Sequence, residues 1–341
     1  MTHNLLTRDQ FRSAVFERDN HQCVICKTPA KDAHHILERR LWDDGGYYLD
    51  NGASVCALHH ILCEQTDISV AALRTACKIT RPILPPHMYS DVVYDKWGNI
   101  ELNGYRLRGE LFYDESVQKA LKGHLEDFTS LVKYPRTHHL PWSEGMHGDD
   151  RAMTSIASFM GARVIVTEKL DGENTSFYKD AYHARSTEST NHESQTWAKN
   201  FWAKIKHDIP TGWRICVENV YATHSVEYTN LDSYVYGFSI WNELNKCLSW
   251  DETLEWFDLF GITPVPVLYD GVYNEYLIRA LWKPGHEKFA EGYVVRTAHA
   301  FTYGAFRRCV GKFARKDHVQ TVQHWKYGQI VTPNKLKDGY K

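Results

Sequence analysis

With 341 residues, 43% of them hydrophobic and 24% charged, the chain has the composition of a soluble globular protein long enough for two domains, each with its own core. A net charge of −2 excludes a polycation that grips phosphate over its whole surface, and no run of about 18 apolar residues is present to form a membrane span. Eight cysteines occur without a signal-peptide core in the polar N-terminal segment, so the expected location is the cytoplasm and the expected cysteine roles are metal binding and packing rather than disulfides.

Residues 8–19 carry apolar positions at helical spacing and predict a short helix. Cys23-x-x-Cys26 follows, answered across a 29-residue loop by Cys56-x-x-His59. Paired ligands at two-residue spacing are the pattern of a closed tetrahedral zinc site, here a structural one that staples a segment too polar to make a good core alone. Within that frame lie Asp32-Ala33-His34-His35-Ile36-Leu37 and Asp50-Asn51-Gly52, and His60 comes directly after the last zinc ligand. Residues 79–115 are rich in Pro, Gly, Tyr and Asn and predict extended structure with hairpins at Trp97-Gly98-Asn99 and Asn103-Gly104. Ser116 to Tyr134 has a helical pattern, and the domain boundary is expected within or just after it, near residue 130, dividing 1–128 from 129–341.

From Lys133 the character changes. A compact aromatic, proline and basic segment, Lys133 to Ser143, reads as a lid over a planar ligand. An apolar strand, Ala162 to Val166, then runs into Glu168-Lys169-Leu170-Asp171-Gly172-Glu173-Asn174. This puts an amine at a strand end beside a glycine that lets a phosphate approach the backbone. A lysine attacks phosphorus only as the neutral amine, so its pKa is expected to fall through burial or cationic neighbours. Four further blocks follow: Tyr182 to Ser186, Trp213 to Tyr221 (with Glu218-Asn219), Tyr234 to Trp241, and Glu291-Gly292-Tyr293-Val294-Val295-Arg296. The last block, Val310 to Val319, contains Lys312. From Phe301 to Lys341 there are nine Lys/Arg against two acids, a local basic surface suited to a polyphosphate or nucleic-acid backbone.

The His-His, Asn, His series threaded through the Cys-x-x-Cys frame resembles the HNH nuclease family, the ββα-metal fold. That resemblance implies a catalytic divalent metal at His34 and His60, His35 as the general base that activates water, and Asn51 as its orienting partner. His59 stands where many relatives have cysteine. The blocks from residue 133 to about 325 resemble the covalent nucleotidyltransferases, specifically ATP-dependent RNA ligases. This second resemblance implies that Lys169 takes AMP from ATP, that Glu168 reads the adenine edge and that Phe238 stacks on the base. It implies further that Glu218 binds a ribose hydroxyl, Arg185 contacts phosphate or acceptor strand, and Glu291 acts on the catalytic metal. Lys312 would neutralise the α-phosphate, and Asn174 would serve the later sealing steps. The last block departs from the common Lys-x-Lys pattern, since Ala314 follows Lys312 two places on; Arg315 or Lys316 is expected to supply the second cation. The short stretch after Lys312 leaves the zinc module as the expected strand-holding part, in place of the additional domain many ligases carry there.

The expected fold class is therefore α+β: a small zinc-stapled ββα-metal module over residues 1–128, then an antiparallel-sheet nucleotidyltransferase core over 129–341. The expected activity is ATP-dependent joining of 3′-hydroxyl and 5′-phosphate RNA ends through lysyl-AMP, with Mg²⁺ or Mn²⁺ and structural Zn²⁺. The expected partners are RNA ends, nicked duplexes or RNA–DNA hybrids. The alternative is an HNH endonuclease whose second half only binds nucleotide.

Overall fold

The computed structural model describes residues 4–146, 148–187, 192–283, 285–286, 290–316 and 331–337. The chain divides into two units, Met1–Ser130 and Leu131–Lys341. No helix of the described residues is long and apolar enough to cross a membrane.

In the first unit, helix α1 (Arg8–Arg18) opens on a capping box in which Thr7 and Gln10 each satisfy the other's backbone N–H. Strands β1 (Asp32–His35) and β2 (Gly52–Val55) pair antiparallel, with His34 opposite Ala53, and helix α2 (Ala57–Glu64) starts directly after them. Phe11 and Val15 of α1 are buried against this ββα unit, where Gly52 leaves no room for a side chain: a Cβ there would lie within 2.9 Å of the Phe11 ring. Helix α3 (Val70–Ala76) and the hairpin of β3 (Ile100–Leu102) and β4 (Tyr105–Leu107) follow. The helix expected over Ser116 to Tyr134 is shorter. It forms as α4 (Glu115–Ala120), capped by Asp114, and tightens into a 3₁₀ turn over Lys122–Asp127, after which Phe128 is extended. Gly123 weakens helix continuation, and Phe128 gains more by turning into a cluster with Trp97, Phe112, Val117 and Leu121 than by extending the helix.

Among its described residues the second unit is built on two sheets. Its strands are β5 (His138–His139), β6 (Arg163–Lys169), β7 (Glu173–Phe177), β8 (Tyr182–Ala184), β9 (Arg214–Asn219), β10 (Val235–Trp241), β11 (Lys246–Cys247), β12 (Thr263–Pro264), β13 (Val267–Val272), β14 (Gly292–Thr297), β15 (Phe301–Thr302) and β16 (Val310–Ala314). One sheet runs β13-β6-β14-β16-β5, the other β15-β11-β10-β9-β7-β8, with β12 against β10. Pairing is antiparallel except for β5 with β16 and β12 with β10. Strand β6 is apolar on both faces because both are covered: Val164 and Val166 pack with Phe159, Tyr293 and Phe313, whereas Ile165 packs with Val220, Tyr236 and Trp250 from the other sheet's side. Each such buried aliphatic side chain contributes about 1.5–3 kcal/mol. The outer face of the second sheet is closed by α5 (Thr196–Ile205) and α6 (Trp250–Phe260), whose aromatics join Ile215, Val217, Val235 and Ile240. Helix α6 is delimited by local signals, a Ser249–Glu252 capping box at its start and Gly261 in the left-handed region (φ 63°) at its end. Short helices α7 (Glu275–Ala280) and α8 (Phe306–Cys309) complete the unit.

Two expectations change here. The segment Lys133 to Ser143 is wall rather than lid: Tyr134 packs edge-on against Phe238 and Phe306, and His138–His139 joins the sheet beside β16. The basic residues after Phe301 were expected on one surface, and three of the described ones are not placed as a shared surface. Lys312 lines the interior cleft, Arg315 is buried, and Lys337 pairs with Asp232, while Lys326 and Lys341 lie outside the described residues.

Candidate active site

Strand register assembles a cleft between the two sheets. On one sheet Lys169 pairs across from Gly292, and Lys312 pairs across from Val294, so the ends of β6, β14 and β16 lie side by side. Glu291, the residue before Gly292, thereby meets Lys169, with Nζ donating to Oε2 at 2.6 Å. Gly292 is required for this closeness, since a Cβ would collide with the Phe313 carbonyl. On the facing sheet Asn174 pairs with Glu218. A register shift between Gly237 and Ser239 takes Phe238 out of the β9–β10 ladder. Glu168, Lys169, Asn174, Arg185, Glu218, Phe238, Glu291 and Lys312 all line the resulting cleft of about 850 Å³. Asn174 Oδ1 is buried there with no hydrogen-bond partner among the described residues. Of the two candidates for a second cation, Arg315 is buried and donates its backbone N–H to the Glu291 carbonyl, and neither it nor Lys316 lines the cleft.

The electrostatics differ from the expectation for a nucleophilic lysine. Burial pulls the Lys169 ammonium down, but Glu291, Glu218 and Asp171 outweigh it and hold its pKa above the ordinary value. Burial, against the attraction of Lys169, pushes the Glu218 carboxyl up to about 8, and burial alone raises Glu168. Lys312 is the amine whose pKa is lowered, by burial first and by Lys169 and Arg185, with Asp150 opposing. The sequence shows the lysines, Glu218 and Glu291, but not that these carboxylates with Asp171 and Asp150 surround the amines, which depends on four separate strands and loops.

The Lys169-Leu170-Asp171-Gly172 turn is held from both ends. Asp171 Oδ2 accepts hydrogen bonds from the Ser225 backbone (2.7 Å), the Ser225 hydroxyl (2.6 Å) and the Val226 backbone (2.9 Å). Burial would raise this carboxyl, but nearby His224 and the Ser225 hydroxyl bring it down to about 2. Because the folded value lies below the ordinary 3.8, the stabilisation is complete above that pH and is lost as pH falls through about 2. It amounts to about 2 kcal/mol. Urea titrations between pH 5 and pH 2 are expected to show this loss, and Asp171→Asn is expected to remove that part of the slope. At Gly172 an added Cβ would lie 2.5 Å from the Asn219 carbonyl oxygen, so Gly172→Ala must displace the turn. The expected result is a loss of about 1–3 kcal/mol of stability, read as a lowered urea midpoint.

Two lining residues carried no sequence signal. Asp150 lies 3.7 Å from Lys312 Nζ and 3.2 Å from Nε2 of buried His139, and His224 flanks Asp171 at 3.8 Å. Both sit in irregular segments, where periodicity says nothing about side-chain direction.

Residues 162–314 match the family model described as RNA ligase. No curated protein matches the chain. Among solved structures, a putative ATP-dependent DNA ligase from Aquifex aeolicus is 20% identical, with a TM-score of 0.40 over 54% of this chain and 50% of that one. A Naegleria gruberi RNA ligase with ATP and Mn is 17% identical (TM-score 0.39, 55% of this chain and 57% of that one). An archaeal ATP-dependent RNA ligase is 15% identical (TM-score 0.37, 54% and 48%). The chain thus spans about half the length of the structures it resembles. The eight cleft residues carried over from the sequence all lie within the stretch that matches the RNA ligase family.

The first unit lies outside that match and holds two ligand clusters. Cys23, Cys26, Cys56 and His59 offer four ligand atoms within 4.8 Å of one another. Cys26 and Cys56 sulfurs are 3.9 Å apart, close to the roughly 3.8 Å that two tetrahedral 2.3 Å bonds to one zinc require. His59 Nδ1 faces Cys56 at 3.2 Å and Cys23 at 3.5 Å, so the donor set fits a closed zinc site. The second cluster is His34, His60 and Glu64. Glu64, unnoticed in the sequence, is four residues past His60 on α2 and reaches both histidines, at 3.4 Å and 3.3 Å. The buried Lys96 ammonium contacts the same carboxylate at 3.2 Å.

His35 is not brought to this cluster. Consecutive residues of a strand face opposite ways, so its ring stacks on Phe11 at 4.6 Å and meets Tyr47 edge-on, and burial together with Lys96 takes its pKa down to about 4. Asn51 is buried and hydrogen-bonded to the backbone of Leu37 and Gly46, which places it as a loop fastener rather than beside the His35 ring.

Proposed function

We propose that the chain joins RNA ends at the expense of ATP. The observation that carries this reading is the convergence of Lys169, Glu291, Glu218 and Lys312 in one cleft of the stretch that matches the RNA ligase family. In the proposed reaction Lys169 Nζ attacks the α-phosphorus of ATP. An Nζ–P bond forms, the P–O bond to pyrophosphate breaks, and Glu291 Oε2, 2.6 Å from Nζ, would take the amine's proton. AMP then passes to a 5′-phosphate, and a 3′-hydroxyl displaces it to form the phosphodiester. Phe238 would stack on the adenine and Glu168 would read its edge; Glu218 would accept from a ribose hydroxyl. Lys312 would face the charge that develops on the phosphates, Arg185 would hold phosphate or the acceptor strand, and Asn174 would serve sealing. The carboxylate of Glu291 suits a hard cation such as Mg²⁺ or Mn²⁺, which when bound would supply charge neutralisation.

The first unit is proposed as a module stapled by Zn²⁺ on Cys23, Cys26, Cys56 and His59. A second reading, that it also cuts nucleic acid with a divalent metal, rests on the His34, His60 and Glu64 cluster. The test uses a 5′-phosphorylated RNA and an RNA with a free 3′-hydroxyl, each single-stranded, annealed as a nick, and with DNA on either side of the joint. Strand joining that requires ATP and the 5′-phosphate supports the ligase reading. Cleavage under Mg²⁺, Mn²⁺ or Ni²⁺ that is lost in His60→Ala, with no joining under any condition, replaces it with the nuclease.

A further inference from the structure

The segment 331–337 lies against the loop between β9 and β10, and its centre is Asn334, which is 2% exposed. All the hydrogen-bonding capacity of this side chain is used. Its Nδ2 donates to the carbonyls of Val220 (2.8 Å) and Ala222 (3.3 Å), and its Oδ1 accepts from the Thr223 hydroxyl (2.9 Å) and the Tyr228 backbone N–H (2.8 Å). Its backbone N–H donates to Tyr221, and its carbonyl accepts from the Tyr234 hydroxyl at 2.9 Å. Further backbone bonds, Thr223 to Thr332 and Lys335 to Tyr228, fasten both sides of the loop. Removing Asn334 would leave buried carbonyls and an N–H unpaired, so the loop would have to move to find other partners.

What the loop holds makes this more than packing. The two points gripped by Oδ1, Thr223 and Tyr228, bracket Ser225 and Val226, whose three donors bind Asp171 Oδ2. Tyr228 closes the same circuit by accepting the Asp171 backbone N–H at 2.9 Å. Asp171 is two residues from Lys169, and the next residue, Gly172, donates to Glu218 at 3.2 Å. A continuous set of hydrogen bonds therefore runs from Asn334 through the loop to the turn that carries the amine.

We propose that Asn334 is a positioning residue of the cleft: by clamping the 220–228 loop it fixes the Asp171 turn and so the direction in which Lys169 presents its amine. The inference rests on the ligase reading, because it predicts an effect on the chemical step rather than on nucleotide affinity. A displacement of about 1 Å at an attacking atom costs on the order of tenfold to a hundredfold in rate.

The experiment is single-turnover transfer from α-phosphate-labelled ATP to the full-length protein, with the rate constant, the final amplitude and the half-saturating ATP concentration measured separately. For Asn334→Ala the rate constant is expected to fall at least about tenfold, with amplitude and half-saturation within about twofold of wild type. Ser225→Ala is expected to slow the step as well, but much less in the Asn334→Ala background than alone, since both changes interrupt one circuit. If Asn334→Ala fails to fold, Thr223→Val, which removes one donor to Asn334 and keeps the side-chain shape, is expected to slow the step about threefold. A wild-type rate in a folded variant, a loss of amplitude without change in rate, or fully multiplicative effects in the double variant would overturn the proposal while leaving the ligase reading intact. A wild-type protein that retains no label removes both.

Discussion

Replacing Lys169 by alanine is expected to leave a folded protein that no longer retains label from α-phosphate-labelled ATP after denaturation, a loss on the order of 10³-fold or more. Three lysines line the cleft, and of these Lys169 and Lys312 face carboxylates, so the comparison between those two is informative. Lys312 has the lowered pKa that favours a neutral nucleophile, whereas Lys169 is held charged by Glu291, Glu218 and Asp171. We assign the role to Lys169 on geometry. Its Nζ donates a hydrogen bond to a buried carboxylate at 2.6 Å, and it opens a turn fixed by hydrogen bonds at Asp171 and Gly172. Lys312 faces Asp150 at 3.7 Å and is suited to neutralising phosphate charge. Lys312→Ala should therefore slow label uptake and retain some of it. Retention by Lys169→Ala together with complete loss in Lys312→Ala would reverse the assignment of nucleophile. The pH dependence of the wild-type step follows from the same network. Loss of the proton from Lys169 becomes easier as pH rises, so the rate should climb through the neutral range toward the alkaline side.

The second large effect is expected from the sulfur cluster. Cys56→Ala, or prolonged chelation of the wild type, is expected to abolish the cooperative thermal transition of residues 1–130 and to remove about one equivalent of zinc. Apparent zinc binding energies in small modules are about 10 kcal/mol, comparable to the whole stability of a domain of this size, about 5–15 kcal/mol. The transition of the second unit should persist, because its cores are built from its own two sheets and helices. Differential scanning calorimetry with metal analysis on the full chain reads both. An unchanged first transition in metal-free protein would show that the quartet is a packing feature and not a metal site.

Much of this was legible in the residues, and the particular cases show why. Cys23, Cys26, Cys56 and His59 could be grouped because metal ligands come in local pairs whose spacing is written in the chain, and they do meet. The strand entering Lys169 was legible because Val164, Ile165 and Val166 are apolar and β-branched in succession, and the capping boxes at Thr7 and Ser249 delimit their helices locally. The eight cleft residues came from resemblance, and all eight line one cleft. Where local pattern met competing tertiary demands it misled. The helix after Ser116 stops early because Phe128 is buried elsewhere, and Tyr134 packs as wall where a lid was expected.

His35 marks the same boundary at the level of a single side chain. The sequence placed it next to His34, and the pleat of β1 turned it to the opposite face, while Glu64, thirty positions away from His34, reached the histidines instead. By itself the sequence determined the grouping of Cys23, Cys26, Cys56 and His59 and which short segments become strands or capped helices, because those depend on neighbours within a few residues. Only the tertiary structure decided the charge state around Lys169, the place of Asp150 and His224, and the clamp made by Asn334, because each depends on groups brought together by strand register and loop closure across tens to more than a hundred positions.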